Sequence, residues 1–257
     1  QVDDGLPHFH EAKERLKEDV DAIPHLGDVI CEYGLHESLG VSLLHKHFSL
    51  YEGEQLAKRY EPEKKIAYAY PEATDRRSQA YMYQVTEKGG DTSYEPIEFF
   101  SRSRATDGVP TLAEVIKGNE DFLEEFAQVA KKLGVADTFG LTVLHLYIQE
   151  FNRDEEMPVE MTDEEKRILR VTIEPRKELD PEKTTETLWV FTPREDVSAG
   201  TVGSGRFGPA HECSHSCTHT CSHTCNHTCV HTGEIPDFTD IPSDIPRSPT
   251  DMPKQRE

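Results

Sequence analysis

The chain has little of what polyanion- or lipid-binding surfaces require. Lys and Arg number 28 against 49 Asp and Glu, a formal net charge of −21. Nucleic-acid binding needs a positive patch that displaces counterions, and anionic membrane surfaces need basic clusters, so neither partner is expected. Long apolar runs are missing too. Hydrophobic residues make up 35% of the 257 positions, and no run approaches the ~20 residues of a bilayer-crossing helix. The opening segment QVDDGLPHFHEAKERLKEDV lacks the basic-then-apolar pattern of a secretory leader, so a cytoplasmic location with reduced thiols is expected. Catalytic signatures are also scarce: there is no phosphate-cradling glycine loop, no nucleophile elbow and no H-E-x-x-H. Cysteine is almost absent before residue 213, where only Cys31 occurs.

What the chain does have is a concentrated run of metal-binding side chains near its end. From His211 to Thr232 it reads HECSHSCTHTCSHTCNHTCVHT, holding five of the six cysteines and six of the thirteen histidines. The candidate ligands are His211, Cys213, His215, Cys217, His219, Cys221, His223, Cys225, His227, Cys229 and His231. Thiolate and imidazole bind soft and borderline transition metals, so copper(I) or zinc is the expected cargo. A folded zinc finger is not expected, because Val230 is the one sizeable apolar side chain between Glu212 and Thr232. In an extended chain the period of two puts the donors on one edge, a strip that can hold metal in several registers. Two rival readings are incidental low complexity and, in an oxidising compartment, disulfide pairing. In ligand density and lack of apolar residues the tract resembles metallothioneins, and its high share of His departs from that family.

The rest of the chain repeats itself at an offset of one hundred residues. Gly34-Leu-His-Glu-Ser-Leu-Gly-Val-Ser-Leu-Leu-His45 aligns without gaps to Gly134-Val-Ala-Asp-Thr-Phe-Gly-Leu-Thr-Val-Leu-His145. Upstream, Ala12, Leu16, Ile23, Leu26 and Val29 stand opposite Leu112, Ile116, Leu123, Phe126 and Val129; downstream, Lys64-Lys65-Ile66 meets Lys166-Arg167-Ile168. Each copy predicts a helix first. In the second, a Thr111–Glu114 capping box opens an apolar stripe from Leu112 to Leu133; in the first, Pro24 divides the helix into pieces near 8–23 and 25–33. Strand-like runs follow at 41–49, 64–70, 78–86 and 94–100, and again at 141–149, 166–174 and 185–192. The expected fold is α+β: an internally duplicated (αβββ)2 body over residues 1–192, with repeats near 8–100 and 108–192 and helices on a mainly antiparallel sheet. Residues 193–257 are expected to form a disordered, flexible Cys/His-rich tail carrying the tract at 211–232.

Within the body, His45 and His145 occupy equivalent places on predicted strands, as do Glu37 and Asp137 just before them. Together they are a candidate set for metal binding or acid–base chemistry. The bland alternative is core histidines bonded to backbone carbonyls and acids that cap turns. The segment Gly40-Val-Ser-Leu-Leu-His-Lys-His-Phe-Ser-Leu, followed by Glu52 and Glu54, resembles a stretch seen in uncharacterised proteins of filamentous fungi, and this resemblance brings no activity with it. The leading expectation is therefore a soluble, non-enzymatic protein that sequesters or delivers copper(I) or zinc, with metal ions and a metal donor or acceptor protein as partners. The alternative is an enzyme or small-molecule-binding protein with a pocket between the repeats near His45 and His145.

Overall fold

The computed structural model describes residues 5–101, 109–144, 151–152, 155–180, 183–193 and 245, and the backbone of 221–230. The chain folds as α+β. The first half runs α1 (Phe9–Asp19), α2 (Ile23–Glu32), β1 (Leu39–Leu43), β2 (Glu54–Glu61), β3 (Ile66–Ala73), β4 (Ala80–Lys88) and β5 (Asp91–Phe100). The second half runs α3 (Leu112–Val115), α4 (Phe122–Lys132), β6 (Phe139–Val143), β7 (Glu156–Asp163), β8 (Ile168–Pro175) and β9 (Thr184–Pro193), and a further strand, β10 (Cys221–Val230), follows. No helix among the described residues is long and apolar enough to cross a membrane.

Local chemistry accounts for the helix boundaries. Pro24 sits in the first turn of α2, where its missing N–H has no helical partner to lose, so the first helix divides there as expected. Thr111 caps α3, accepting from the Glu114 N–H at 3.3 Å while the Glu114 carboxylate accepts from the Thr111 N–H at 2.8 Å. The single stripe expected from Leu112 to Leu133 is nevertheless two helices, because the chain turns at Gly118 with φ +87°.

The strands differ from expectation in instructive ways. The first ends at Leu43 rather than running to residue 49, so His45 and His47 lie beyond it. β2 and β7 were not expected at all. Nine strands form one curled sheet in the order β9-β1-β6-β4-β5-β2-β3-β8-β7. Most neighbours are antiparallel, as expected, and β2–β5 is parallel. β10 lies between β7 and β9, parallel to the first and antiparallel to the second, and closes the sheet into a barrel. Of the segment expected to be a flexible tail, the described residues are Pro193, the backbone of 221–230 and Ile245. Ile245, further along the Pro-rich segment, is buried against Tyr68, Tyr70 and Ile168.

The helices cover one side of the barrel. Leu39, Val41 and Leu43 of β1, with Phe139, Leu141 and Val143 of β6, share a core with Leu26 and Ile30 of α2 and Phe122 and Phe126 of α4. β1 and β6 pair with Val41 opposite Leu141, and Ser42 Oγ lies 2.5 Å from Thr142 Oγ1 between them. Gly40 and Gly140 are required by close approach: a Cβ would lie 2.7 Å from the Trp189 carbonyl oxygen at the first and 2.6 Å from the Tyr83 carbonyl oxygen at the second.

Residues 34–44 and 134–144 have the same sequence of turn and strand and nearly the same burial. Gly34 and Gly134 both end their helices at positive φ, 68° and 76°. The bonds after them correspond: the Leu35 N–H donates to Ile30 and the Val135 N–H to Ala130, each at 2.9 Å. Leu44 and Leu144 then donate reciprocally to Thr138 and Ser38 at 2.8 Å.

Candidate metal centre inside the barrel

Beyond β1 the chain turns inward. The Lys46 N–H donates to the Pro7 carbonyl at 2.9 Å, which pins the segment against the residues preceding α1. His45 Nδ1 lies 2.9 Å from the Leu43 carbonyl oxygen. A carbonyl only accepts, so Nδ1 carries the proton and Nε2 the lone pair. Phe9 packs edge-on against the His45 ring at 5.3 Å, and the His47 ring crosses it at 4.6 Å. Burial holds the His45 imidazole below its ordinary 6.5, with the Leu43 carbonyl and Glu98 opposing and Lys58 assisting. A neutral ring is the form that ligates metal.

β7 supplies the facing carboxylate. Glu160 and Thr162 project from the same side of that strand, as alternate residues do. Glu160 Oε2 lies 4.0 Å from His47 Nε2, and Thr162 Oγ1 lies 3.4 Å from His47 Nδ1. The donor atoms of His45, His47 and Glu160 all fall within 4.8 Å of one another. Tetrahedral zinc with bonds near 2.1 Å sets its donors about 3.4 Å apart, so a closing movement of roughly an ångström would seat an ion. A backbone carbonyl on one imidazole and a threonine hydroxyl beside the other are the kind of outer partners that orient metal-bound histidines.

A second polar group adjoins these three. Lys58 Nζ of β2 lies 3.8 Å from both Glu98 Oε2 of β5 and Glu160 Oε1. The Tyr81 hydroxyl of β4 donates to Glu98, and Lys58 Nζ stands 5.0 Å from the centre of the Tyr81 ring. Burial, reinforced by Glu98, raises the Tyr81 ionisation well above its ordinary value, so the phenol keeps its proton. Lys58, Glu98, Glu160 and His47 are 3–7% exposed, a depth at which charge survives only when paired. The cavity touching His45, His47 and Glu98 is about 10 Å³, room for one water or ion. Small organic ligands occupy pockets of about 300–1,000 Å³.

Only part of the set read from sequence converges here. His45 is in the centre. Glu37 and Asp137 are exposed in the turns between helix and strand, because those turns face outward from the sheet. His145 lies outside the described residues. Of the tract ligands, Cys221, His223, Cys225, His227 and Cys229 fall on β10, while His211, Cys213, His215, Cys217, His219 and His231 lie outside the described residues. Sequence reasoning missed His47 as a partner of His45, and Glu160, Lys58, Glu98 and Tyr81 altogether. The available signal was a charge placed among apolar neighbours, as in Pro158-Val-Glu-Met161. No family model, curated protein or solved structure matches the chain.

Proposed function

We propose that this protein binds transition-metal ions through two donor sets. One is an ordered site of His45, His47 and Glu160 inside the barrel; the other is the C-x-H-x tract of residues 211–232, which holds copper(I) or zinc. The observation that carries the reading is the convergence of two imidazoles and a carboxylate, with donors within 4.8 Å, beside an ion-sized cavity. Two imidazoles and a carboxylate form a borderline-to-hard set that suits zinc better than copper(I). The metallothionein-like tract adds capacity, and sequestration or delivery to an acceptor protein is the role proposed for the pair. The cavity's size speaks against an organic ligand at this place. We also propose that the two halves arose by duplication of one unit, as the repeated helix–turn–strand hydrogen bonds at 30–44 and 130–144 suggest.

The test is zinc titration of metal-free, full-length protein, counted by native mass spectrometry under reducing conditions. Changing Cys213, Cys217, Cys221, Cys225 and Cys229 to serine should remove most loading and leave one equivalent. Adding His47→Ala and Glu160→Gln should remove that one. Retention of the last equivalent in the combined variant would move the site elsewhere.

A further inference from the structure

The outer face of β3 and β8 is buried although α2 and α4 lie elsewhere. Side chains alternate between the two faces along both strands. Ala67 and Ala69 of β3, with Leu169 and Val171 of β8, pack inside the barrel against Phe48 and Leu56, which line the ion-sized cavity. Tyr68 and Tyr70 of β3 and Ile168 of β8 therefore point outward, where they form a separate apolar cluster and are buried. The two helices pack against β1, β6 and β9, on another part of the sheet. Among the described residues, the one member of the outer cluster that does not come from the sheet is Ile245, which is 1% exposed.

The sequence around Ile245 is itself a repeat. Glu234-Ile235-Pro236, Asp240-Ile241-Pro242 and Asp244-Ile245-Pro246 are three copies of an acid–Ile–Pro unit. A residue before proline is held in extended backbone, so such a segment loses little freedom when it lies along a surface. Aromatic-lined surfaces are the usual receptors of proline-bearing segments. Charge is complementary as well. Arg59 is the register partner of Tyr68 in the β2–β3 ladder, and Arg170 is its partner in the β3–β8 ladder. Arg59 is paired with Glu61 at 2.7 Å, and Arg170 is the partly exposed cation of this row. Residues 233–245 carry four acids and no base. We infer that the outer face of β3 and β8 around Tyr68 is a docking site for acid–Ile–Pro segments, occupied in this chain by its own Asp244-Ile245-Pro246 with Ile245 as the anchoring side chain. Burying one isoleucine favours the docked form on the order of 10- to 100-fold. The tether adds an effective concentration of about millimolar. Docking ties the chain beyond β10 back to the barrel wall, and it does so independently of any metal.

Nuclear magnetic resonance on full-length protein with methyl-labelled isoleucine tests the occupant. The Ile245 methyl, assigned with Ile245→Val, should show Overhauser contacts to the Tyr68 and Tyr70 rings within one chain. An Ile245 methyl without those contacts overturns the site. Contacts found only between differently labelled chains overturn the assignment to the chain's own segment and make the occupant a second copy. Specificity is read with a fluorescent peptide of residues 243–249, SDIPRSP, added to full-length variants whose far-ultraviolet circular dichroism is unchanged. Changing Ile235, Ile241 and Ile245 to serine removes every tethered competitor. The peptide should then bind one-to-one, at least ~10-fold more tightly than to the wild type, whose site is already filled. Adding Arg170→Gln should weaken that binding about 3-fold, the weight of an exposed ion pair. A folded triple variant that fails to bind the peptide, or that binds a peptide carrying Ile245→Ser equally well, overturns the inference.

Discussion

Lys58 decides how the buried group behaves without metal. Its ammonium stands 3.8 Å from both Glu98 and Glu160 and holds two carboxylates together in the barrel. Removing one member of such a group leaves an uncompensated buried charge, which costs about 3–5 kcal/mol. Lys58→Met should therefore lower metal-free stability by that order in urea unfolding. On the proposed function zinc would replace the missing positive charge, so the metal-induced gain in stability should be larger in the variant than in the wild type. An equal gain in both would mean that the ion does not meet these carboxylates. Glu32 provides a separate residue-scale test, on the helix side. Desolvation raises its carboxyl above the ordinary 4.5, with Glu125 and Asp28 adding to the effect. A raised acid binds its proton more readily in the folded chain than in the unfolded one, so stability falls as pH rises from 4.5 through the folded value. Glu32→Gln should accordingly raise the melting temperature at pH 7, and the gain should vanish below about pH 4. Persistence of the gain at low pH would point to a cause other than charge.

Among the elements, β1 and β6 show how tightly the fold is drawn together. Adding one methyl at Gly40 or Gly140 meets backbone oxygen at 2.7 or 2.6 Å, and backbone yields little. Gly40→Ala and Gly140→Ala should each destabilise by about 1–3 kcal/mol in denaturant unfolding, as overpacked sites do. Unchanged midpoints would show that the strands can separate at that point. These two strands and the amphipathic helices were legible because they obey a simple rule, apolar residues on one face at the period of the element. β2 and β7 were not, for a physical reason. Their sequences, EQLAKRYE and EMPVEMTD, place Lys58 and Glu160 on the face that turns into the barrel, and inward charge looks like solvated surface. The residues that make the candidate site are thus the ones that conceal its strands. His45 was found through its repeat partner, yet the histidine that joins it is His47, because the chain leaves the strand at Leu43 and turns. The break at Gly118 was also open to reading, since Lys117-Gly118-Asn119 interrupts the stripe.

At the scale of the whole molecule, residues 221–230 of the tract form the strand that closes the barrel, and the function proposed above makes the tract a store of metal ligands as well. Without β10, both β7 and β9 would present unpaired edges between which the sheet is open. A chain ending at Pro193 keeps both helix pairs and nine strands, so it should retain most of its circular dichroism while losing stability. Its exposed edges should drive concentration-dependent association in analytical ultracentrifugation. A monomer with an unchanged unfolding midpoint would mean that β10 adds nothing to the barrel. The function proposed above then implies two stages of metal uptake. A preorganised site should fill before an extended tract that must order itself around each ion. The direct test is X-ray absorption at the zinc edge on full-length protein loaded with a single equivalent. Two imidazoles and one carboxylate oxygen are predicted in the first shell, with the imidazole signal reduced by His47→Ala. A first shell dominated by several sulfurs and indifferent to His47→Ala would contradict it, because the first ion would then reside in the tract alone.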